Sequence, residues 1–341
     1  MKKIVLFAFV SCLFLGCSNK VEKVEKSFYY WKSDSWNLSE KERSTMTVLD
    51  IKKIYVKFFE VDHNDAFGDF PIAKTSLNIY QQDSLTIIPT VYLKNEVFKN
   101  TTTKRMDSLA DNINFLINKY VKDKFERANP VKEFQMDCDW TLKIKDNYFY
   151  FLNKLKEISK KQISCTLRLY PYKYPDKMGI PPVDKVTLMC YNLINPLENK
   201  TKNSILDSKE LELYLNKKQK YPLHLDIALP VYSWMQVYQN NKFSKVIYTN
   251  HKDIQKSLKK MKPLWYEVTK DQVVDGFYLR VGDKIKYENT TAEKINEAIE
   301  LIKKNVVFDA NTTITLFHLD EEQLSKYSNE KLSGFYTNFS K

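Results

Sequence analysis

Cysteine and histidine are scarce in this sequence, and neither is spaced for a metal site. The 341 residues include five cysteines and four histidines. Two cysteines lie within the first 17 residues, and Cys138, Cys165 and Cys190 each fall in an apolar run without a C-x-x-C partner. An odd number does not suit a disulfide framework, so we interpret these three as small buried apolar side chains. No two histidines have metal-ligand spacing, and the sequence therefore predicts no metal and no cofactor.

Arginine and long apolar segments are scarce as well. The chain has five arginines, and its net charge of +12 comes mostly from scattered lysines. No recognised nucleic-acid motif accompanies this charge, so we expect a lysine-rich solvated surface and no nucleic-acid partner. After the first twenty residues, no stretch reaches the 18 consecutive apolar residues that would predict a membrane-spanning helix.

The first 17 residues have the pattern of an export signal. Lysines at positions 2 and 3 precede an apolar run from Ile4 to Leu15. Such a run is shorter than the roughly 20 residues that a spanning helix needs, and it fits the apolar region of a secretory signal. The run ends at Gly16-Cys17, which resembles a bacterial lipoprotein signal. The alternative is an ordinary signal peptide with an incidental cysteine.

The lipoprotein resemblance implies a location. The chain would be cut before Cys17, whose thiol carries the lipid that anchors it to a membrane of the cell envelope. Residues 18–26 are polar and predict a flexible tether. Ser18 after the cysteine favours the outer membrane if the organism has one. We expect a monomer.

The rest of the chain alternates β-rich runs with helical patterns. The predicted strands are Phe28–Trp31, Lys53–Glu60, Leu85–Leu93, Glu133–Asp139, Gln162–Leu169, Lys185–Asn192, Pro222–Pro230 and Thr312–Leu319. Between them, apolar residues recur at intervals of three and four, as in Met106, Leu109 and Ile113, which predicts amphipathic helices. Eight such units predict a single (β/α)8 TIM-barrel domain over residues 27–341.

The interval between the seventh and eighth strands is longer than the others. Within it, Val273–Arg280 and Lys284–Tyr287 flank Val281-Gly282-Asp283, a pattern that predicts a β-hairpin. We therefore expect a small hairpin-containing insertion, about residues 233–290, and no separate second domain.

The fourth predicted strand carries the strongest candidate site, because function in such barrels lies at the C-terminal ends of the strands. Side chains alternate along a strand, so Gln135, Asp137, Asp139 and Thr141 are predicted to point into the barrel. Two carboxylates this close raise the pKa of one of them and so provide a proton donor. The alternative is a strand end with both carboxylates solvated.

Three segments together resemble the chitinase-like family 18 glycoside hydrolases. Asp137–Thr141 is similar to their fourth-strand motif D-x-D-x-E, Met189–Asn192 to their sixth-strand M-x-Y-D, and Leu225–Tyr232 to their seventh-strand segment. The order of the segments and the position of the insertion agree with that family. The chain also resembles a group of uncharacterised bacterial proteins with a Q-x-D-x-D fourth strand.

The resemblance implies substrate-assisted cleavage, in which the acetamido group of the sugar attacks the anomeric carbon. Asp139 would orient that group and Tyr191 would hydrogen-bond it, with Asp137 beside them. Thr141 replaces the glutamate that protonates the leaving oxygen, and a hydroxyl cannot take its place. Glu60, at the end of the second strand, is the predicted substitute, and Asp139 is another if Asp137 raises its pKa.

Two further departures concern the sixth and eighth strands. Asn192 stands where the sixth-strand Asp is usual, and Phe317 or His318 stands where the eighth-strand Trp is expected.

Aromatic residues near predicted strand ends are the second sign of a glycan site, because sugar faces stack on rings. The predicted substrate-binding residues are Tyr191, Met189, Gln135, Trp31, Tyr232 and Trp234. The first functional hypothesis is a lipid-anchored glycosidase acting on a glycan, N-acetylated if it follows the family. The alternative is a non-catalytic glycan-binding lipoprotein with a degenerate hydrolase site. A third hypothesis is an interaction protein that has lost the pocket.

Overall fold

The chain forms a closed barrel of eight parallel strands. The computed structural model describes residues 21–32, 35–77, 79–80, 85–126, 130–215, 219–248 and 254–340. The strands are β1 Lys23–Tyr30, β2 Lys53–Asn64, β3 Thr86–Leu93, β4 Glu133–Asp137, β5 Gln162–Leu167, β6 Lys185–Met189, β7 His224–Pro230 and β8 Asn311–Phe317. Each strand pairs in parallel with the next, and β8 pairs with β1, which closes the barrel. The predicted TIM-barrel fold is confirmed.

Helices surround this barrel. They are α1 Glu40–Val48, α2 Thr103–Lys124, α3 Lys145–Ser159, α4 Leu169–Lys173, α5 Pro175–Met178, α6 Ser208–Tyr214, α7 Ala292–Asn305, α8 Glu321–Leu324 and α9 Asn329–Thr337. In α7, Ile295, Ile299 and Ile302 recur at intervals of four and three and are all buried. Burying each such side chain contributes roughly 1.5–3 kcal/mol to stability. None of the described helices is both long and apolar enough to cross a bilayer.

The barrel starts earlier in the sequence than predicted. Lys23 to Phe28 pair with Asn311 to Leu316 of β8, so residues 23–26 belong to β1 and not to a tether. The reason is that the edge of β8 supplies backbone partners along this whole segment, and pairing satisfies polar groups that a free tether would leave to water. The predicted export signal and Cys17 lie outside the described residues.

The insertion between β7 and β8 is a five-stranded antiparallel sheet. Its strand order is 242–247, 234–239, 284–288, 265–268 and 258–262. Met235, Val237 and Ile285 belong to a small apolar core of its own. The insertion is therefore more extensive than the predicted hairpin, although it lies in the predicted interval.

The predicted hairpin centred on residues 281–283 is wrong. The hairpin pairs Gln272–Val274 with Phe277–Leu279 around Asp275-Gly276. Both turn residues have positive φ, 50° and 68°, which is the backbone that a two-residue hairpin turn requires and that Asp-Gly favours. Lys284–Glu288 pairs instead with Trp234–Gln239 and Trp265–Val268.

The N-terminal end of the barrel, called here the floor, is closed by a buried ion-pair network. Lys185 Nζ lies 3.0 Å from Glu133 Oε2 and 3.2 Å from Asp226 Oδ2. The Ser164 hydroxyl donates to Glu133 at 2.6 Å, and the Thr313 amide donates to Asp226 at 2.7 Å. Because each of these charges has partners, the charged side chains can be buried inside the barrel at its floor. The opposite end of the barrel is open.

The three cysteines of the described chain are free and buried, as the apolar runs around them predict.

Candidate functional site

Three adjoining cavities form one cleft across the C-terminal end of the barrel, called here the mouth. The central chamber, about 190 Å³, is lined by Asp137, Asp139, Tyr191 and neighbouring residues. The Trp234 arm, about 550 Å³, shares Trp31, Glu60, Asn192 and Phe317 with the chamber. The Tyr170 arm, about 1190 Å³, shares Tyr92, Asp139 and Arg168 with it. The shared walls make the cleft continuous.

Most of the predicted site residues meet in this cleft. The chamber wall includes Glu60, Asp137, Asp139, Met189, Tyr191 and Trp31. Tyr232 and Trp234 line the adjoining arm. The three segments that supply the family resemblance therefore converge at one place.

Gln135 does not take part as predicted. It is fully buried, lines none of the three cavities, and donates from Nε2 to the Thr187 hydroxyl at 3.2 Å. Alternation along β4 does turn Gln135 inward, but it lies two residues before Asp137 and hence one layer deeper in the barrel.

Asp137 ends β4 and is almost fully buried at the base of the chamber. The Thr166 hydroxyl donates to its Oδ1 at 2.6 Å. Burial, with the charge of Asp139 adding to it, raises the pKa of Asp137 to about 7, although Thr166 and Arg168 oppose the rise. Asp137 is thus a carboxyl group close to half protonation at neutral pH. The sequence hypothesis placed the raised pKa on Asp139, with Asp137 as its cause.

Asp139 and Thr141 lie beyond the strand, so the predicted strand was too long. β4 ends at Asp137, and the Asp139 side chain is 52% exposed, with Arg168 Nε 3.4 Å from its Oδ1. The Trp140 ring packs against Tyr148 in α3, with centroids 5.6 Å apart. This contact turns the chain toward the helix layer and leaves Thr141 exposed on the wall of the Tyr170 arm.

A β-bulge brings Glu60 into the mouth. In β2, Lys57 pairs with Thr90 and Phe59 pairs with Val91, so one extra residue interrupts the alternation. Without it, Lys57 and Glu60 would point to opposite faces. With it, the buried Lys57 ammonium lies 2.6 Å from Glu60 Oε1 at the chamber wall.

Phe317, at the end of β8, is the centre of an aromatic wall. Its ring centroid lies 5.2 Å from that of Tyr191, 5.5 Å from Tyr232 and 5.7 Å from Trp31. Of the two eighth-strand candidates, Phe317 is the one that lines both the chamber and the Trp234 arm. His318 follows it and lines the arm alone, and burial lowers its pKa to about 4.

Trp234 is held in place by a buried carboxylate. Its indole N–H donates to Glu288, which also accepts from the Ser204 amide at 2.8 Å and from Gln236 Nε2 at 2.6 Å. Glu288 thereby connects the inserted sheet to the 193–207 segment and fixes one wall of the Trp234 arm.

Sequence reasoning missed Arg168. It directly follows β5, and its Nη2 donates to the Asn192 carbonyl oxygen at 2.8 Å. Asn192 has a positive φ of 52° and accepts through its side chain from the Tyr232 hydroxyl. Its position in the sequence could have indicated it as a site residue. Arg168 is the first charged residue after the apolar run of β5, and barrel sites lie at such strand ends.

In the described part of the chain, no group of three or more His, Cys, Asp and Glu side chains could hold a metal ion.

No protein-family model and no curated protein matches this sequence. Among solved structures, it is similar to the Bacillus cereus spore cortex-lytic enzyme SleL, with 11% identity over 94% of this chain and 75% of that one, and a TM-score of 0.48. It is also similar to the catalytic domain of a hyperthermophilic chitinase from Pyrococcus furiosus (10% identity, 94% and 95% covered, TM-score 0.45) and to a tamarind chitinase-like lectin (9% identity, 89% and 99% covered, TM-score 0.43). Because all three TM-scores lie below 0.5, they assign neither a family nor a function to this chain.

Proposed function

We propose that the cleft at the barrel mouth binds a glycan and that its carboxyl groups form a glycoside-hydrolase-type site. One observation carries the proposal: Asp137, Asp139 and Glu60 share a single chamber with Tyr191 and the aromatic wall. Burying the Asp137 carboxyl group beside a second carboxyl group is costly, and a carboxyl group in a cleft whose pKa is raised in this way is characteristic of a functional site.

The shape of the cleft supports an oligosaccharide as the ligand. An arm opens on either side of the chamber, so a chain can enter and leave through the two arms. The rings of Trp31, Tyr232 and Trp234 line one arm, and rings of this kind present flat apolar faces on which sugars stack.

The proposed chemistry follows from the environments of the carboxyl groups. Asp137, with a pKa of about 7, holds the proton that general acid catalysis requires. Asp139 is the exposed member of the pair and faces the sugar. Tyr191 lies beside them and, as the family resemblance implies, would bind an acetamido group.

A second candidate function is glycan binding without cleavage. Thr141 stands where the resembling hydrolases have their acid, and it lies exposed on the wall of the Tyr170 arm. Glu60, the predicted substitute, is engaged by Lys57 at 2.6 Å. Both observations favour a binder that descends from an enzyme.

A combined binding and hydrolysis screen tests the two candidates. Calorimetry with an oligosaccharide panel should detect binding, and release of reducing ends should detect cleavage. If the site is catalytic, we expect Asp137→Asn and Asp139→Asn to lower turnover by roughly 100-fold or more while binding persists. Asp123→Asn, an exposed position near the C-terminal end of α2, is the matched control. Binding without turnover would establish the second candidate, and absence of binding across the panel would refute both.

We also propose that a lipid on Cys17 holds the chain at a membrane of the cell envelope. β1 begins at Lys23, so the anchor would lie close in sequence to the floor of the barrel, at the end opposite the mouth. Mass spectrometry of the N-terminal peptide tests this proposal, because Cys17→Ser should abolish the lipid modification.

A further inference from the structure

An exposed pair of tyrosines adjoins the Tyr170 arm and reaches beyond the cleft. Tyr170 lines the arm, and its ring centroid lies 4.8 Å from that of Tyr174. Both residues are 40% exposed, and Tyr174 lines none of the three cavities of the cleft. We propose that this pair, called here the outer platform, binds sugar units of a polysaccharide that is longer than the cleft. This inference rests on the proposed function and specifies that its ligand is a polymer.

The outer platform continues the path that leads out of the chamber. Arg168 lines both the chamber and the Tyr170 arm, Tyr170 lines the arm without reaching the chamber, and Tyr174 lies outside both. These three residues follow one another along α4 and the residues at its two ends. A glycan that leaves the chamber through this arm therefore meets Tyr170 first and Tyr174 next.

Both rings are held in place by lysines of the same segment. The Lys173 ammonium donates to the Leu213 carbonyl oxygen in α6 at 2.6 Å and lies 5.1 Å from the centroid of the Tyr174 ring. The Lys177 ammonium donates to the Tyr170 hydroxyl at 3.1 Å. Because these contacts order the rings before a ligand arrives, less conformational entropy is lost when a sugar binds.

The backbone that carries the outer platform is fixed as well. Pro175 is the first residue of α5, where its restricted φ suits the start of a helix. Gly179, just after α5, has a φ of 77°, and a Cβ atom there would lie 2.8 Å from the Phe149 ring in α3. The absence of a side chain at Gly179 thus allows this segment to pack closely against α3.

A sugar is the occupant that this surface fits best. Single exposed aromatic side chains are ordinary at a protein surface, but these two rings are in contact and continue the wall of a cleft. Tyrosine offers a flat apolar ring together with a hydroxyl group, and a pyranose has an apolar face bordered by hydroxyl groups. The outer platform therefore extends the same kind of surface that the arm presents inside the cleft.

Oligosaccharides of two lengths test the inference by calorimetry on the full chain. The probes are the tetramer and the octamer of β-1,4-linked N-acetylglucosamine and of β-1,4-linked mannose. In a series that binds, the octamer should bind more tightly than the tetramer, because its additional units reach the outer platform. Variants are needed to separate this gain from the larger number of ways in which a longer chain can occupy the cleft.

Variants of Tyr174 make this separation. Tyr174→Ala should lower the ratio of octamer affinity to tetramer affinity roughly three- to tenfold, the range expected for the loss of one aromatic contact. Tyr174→Phe keeps the ring and should keep the ratio, whereas Tyr174→Leu keeps an apolar side chain without the ring and should lower it. Tyr150→Ala is the matched control, since Tyr150 is 38% exposed on α3 and lines none of the three cavities.

The outcomes distinguish this inference from the proposed function. If the wild type binds neither series, the proposed function is not supported and the inference fails with it. If oligosaccharides bind but Tyr174→Ala leaves the ratio unchanged, or Tyr150→Ala lowers it equally, glycan binding stands and the outer platform is wrong. If Tyr174→Ala does not fold, Tyr174→Leu and Tyr174→Phe provide the same comparison, and equal ratios in these two variants would contradict the inference.

Discussion

The floor and the mouth of the barrel each bury an aspartate beside a cationic side chain, yet the two carboxyl groups behave in opposite ways. At the floor, burial alone would raise the pKa of Asp226, but the hydrogen bond from His224 and the charge of Lys185 lower it to about 2. At the mouth, burial and the charge of Asp139 raise the pKa of Asp137 to about 7. In each case, the neighbouring groups of the buried aspartate determine whether its pKa is raised or lowered.

We propose that this difference separates a structural site, the floor, from a functional one, the mouth. Asp226 has its charge stabilised by an amide, an imidazole and an ammonium group, so its ionised form contributes to folding. Asp137 accepts one hydroxyl hydrogen bond and faces another carboxyl group. Its ionised form therefore costs stability, and such a cost is characteristic of residues kept for chemistry.

The largest expected effect comes from breaking the floor. Lys185→Met leaves Glu133 and Asp226 buried beside each other without their shared cation. We expect a loss of roughly 3–5 kcal/mol in the free energy of unfolding, as for other broken buried pairs, measured by urea denaturation. Lys220→Met, which removes an exposed partner of Asp309, should cost less than about 1 kcal/mol. Equal losses in the two variants would contradict the structural role of the floor.

Neutralising Asp137 at the mouth should increase the free energy of unfolding, whereas breaking the floor decreases it. Asp137 has a raised folded-state pKa, so the stability it contributes is present below pH 4 and is lost as pH rises through about 7. Asp137→Asn should therefore be more stable than the wild type at pH 9, by up to roughly 4 kcal/mol, since each pH unit of displacement corresponds to about 1.4 kcal/mol. Denaturation series at pH 5 and pH 9 measure this gain. A variant that is less stable than the wild type at pH 9 would overturn the assignment.

The loss of stability at acidic pH should depend on Asp226 at the floor. Asp226 has a lowered folded-state pKa, so its contribution is present above about pH 4 and is lost as pH falls through about 2. Asp226→Asn should remove roughly 2 kcal/mol of stability at pH 7 and flatten the pH dependence between pH 4 and 2. Denaturation of the variant and of Asp123→Asn across this range gives the comparison. If Asp226→Asn loses stability between pH 4 and pH 2 as the wild type does, the acid sensitivity arises from other residues.

The smallest expected effect concerns one ring of the mouth. Trp234→Ala should weaken glycan binding roughly tenfold, because it removes a stacking surface, and Trp234→Phe should restore much of the affinity. Calorimetry with the tightest-binding oligosaccharide measures both. A loss in Trp234→Ala that Trp234→Phe does not reduce would indicate that the contact with Glu288, and not the ring, matters.

The barrel itself could be predicted from the sequence because its strands are nearly continuous apolar runs. All eight predicted strands overlap the observed ones, from β1 to β8. Buried parallel strands have this composition, and the alternation with helical patterns leaves few other topologies. Boundaries were less accurate, since β4 ends at Asp137 and not at Asp139.

The residues that line the cleft could be predicted in part, and the differences between the predicted and the observed lining have local causes. Strict alternation along a strand assigns Lys57 and Glu60 to opposite faces. The sequence of β2 gives no sign of the bulge that places both side chains on the same face. Arg168 was not predicted because its partners, Asn192 and Asp139, are distant from it in sequence, although the position directly after β5 is one where barrel sites occur. The hairpin was predicted at the wrong position, although the Asp275-Gly276 pair in the sequence is typical of the turn that the structure has there.

The structure of the chain crystallised with its tightest-binding oligosaccharide tests the central claim most directly. We predict sugar rings running from the Tyr170 arm to the Trp234 arm, with one ring in the chamber within hydrogen-bond distance of Asp139. Sugar bound anywhere else on the molecule, with the mouth empty, would contradict the account.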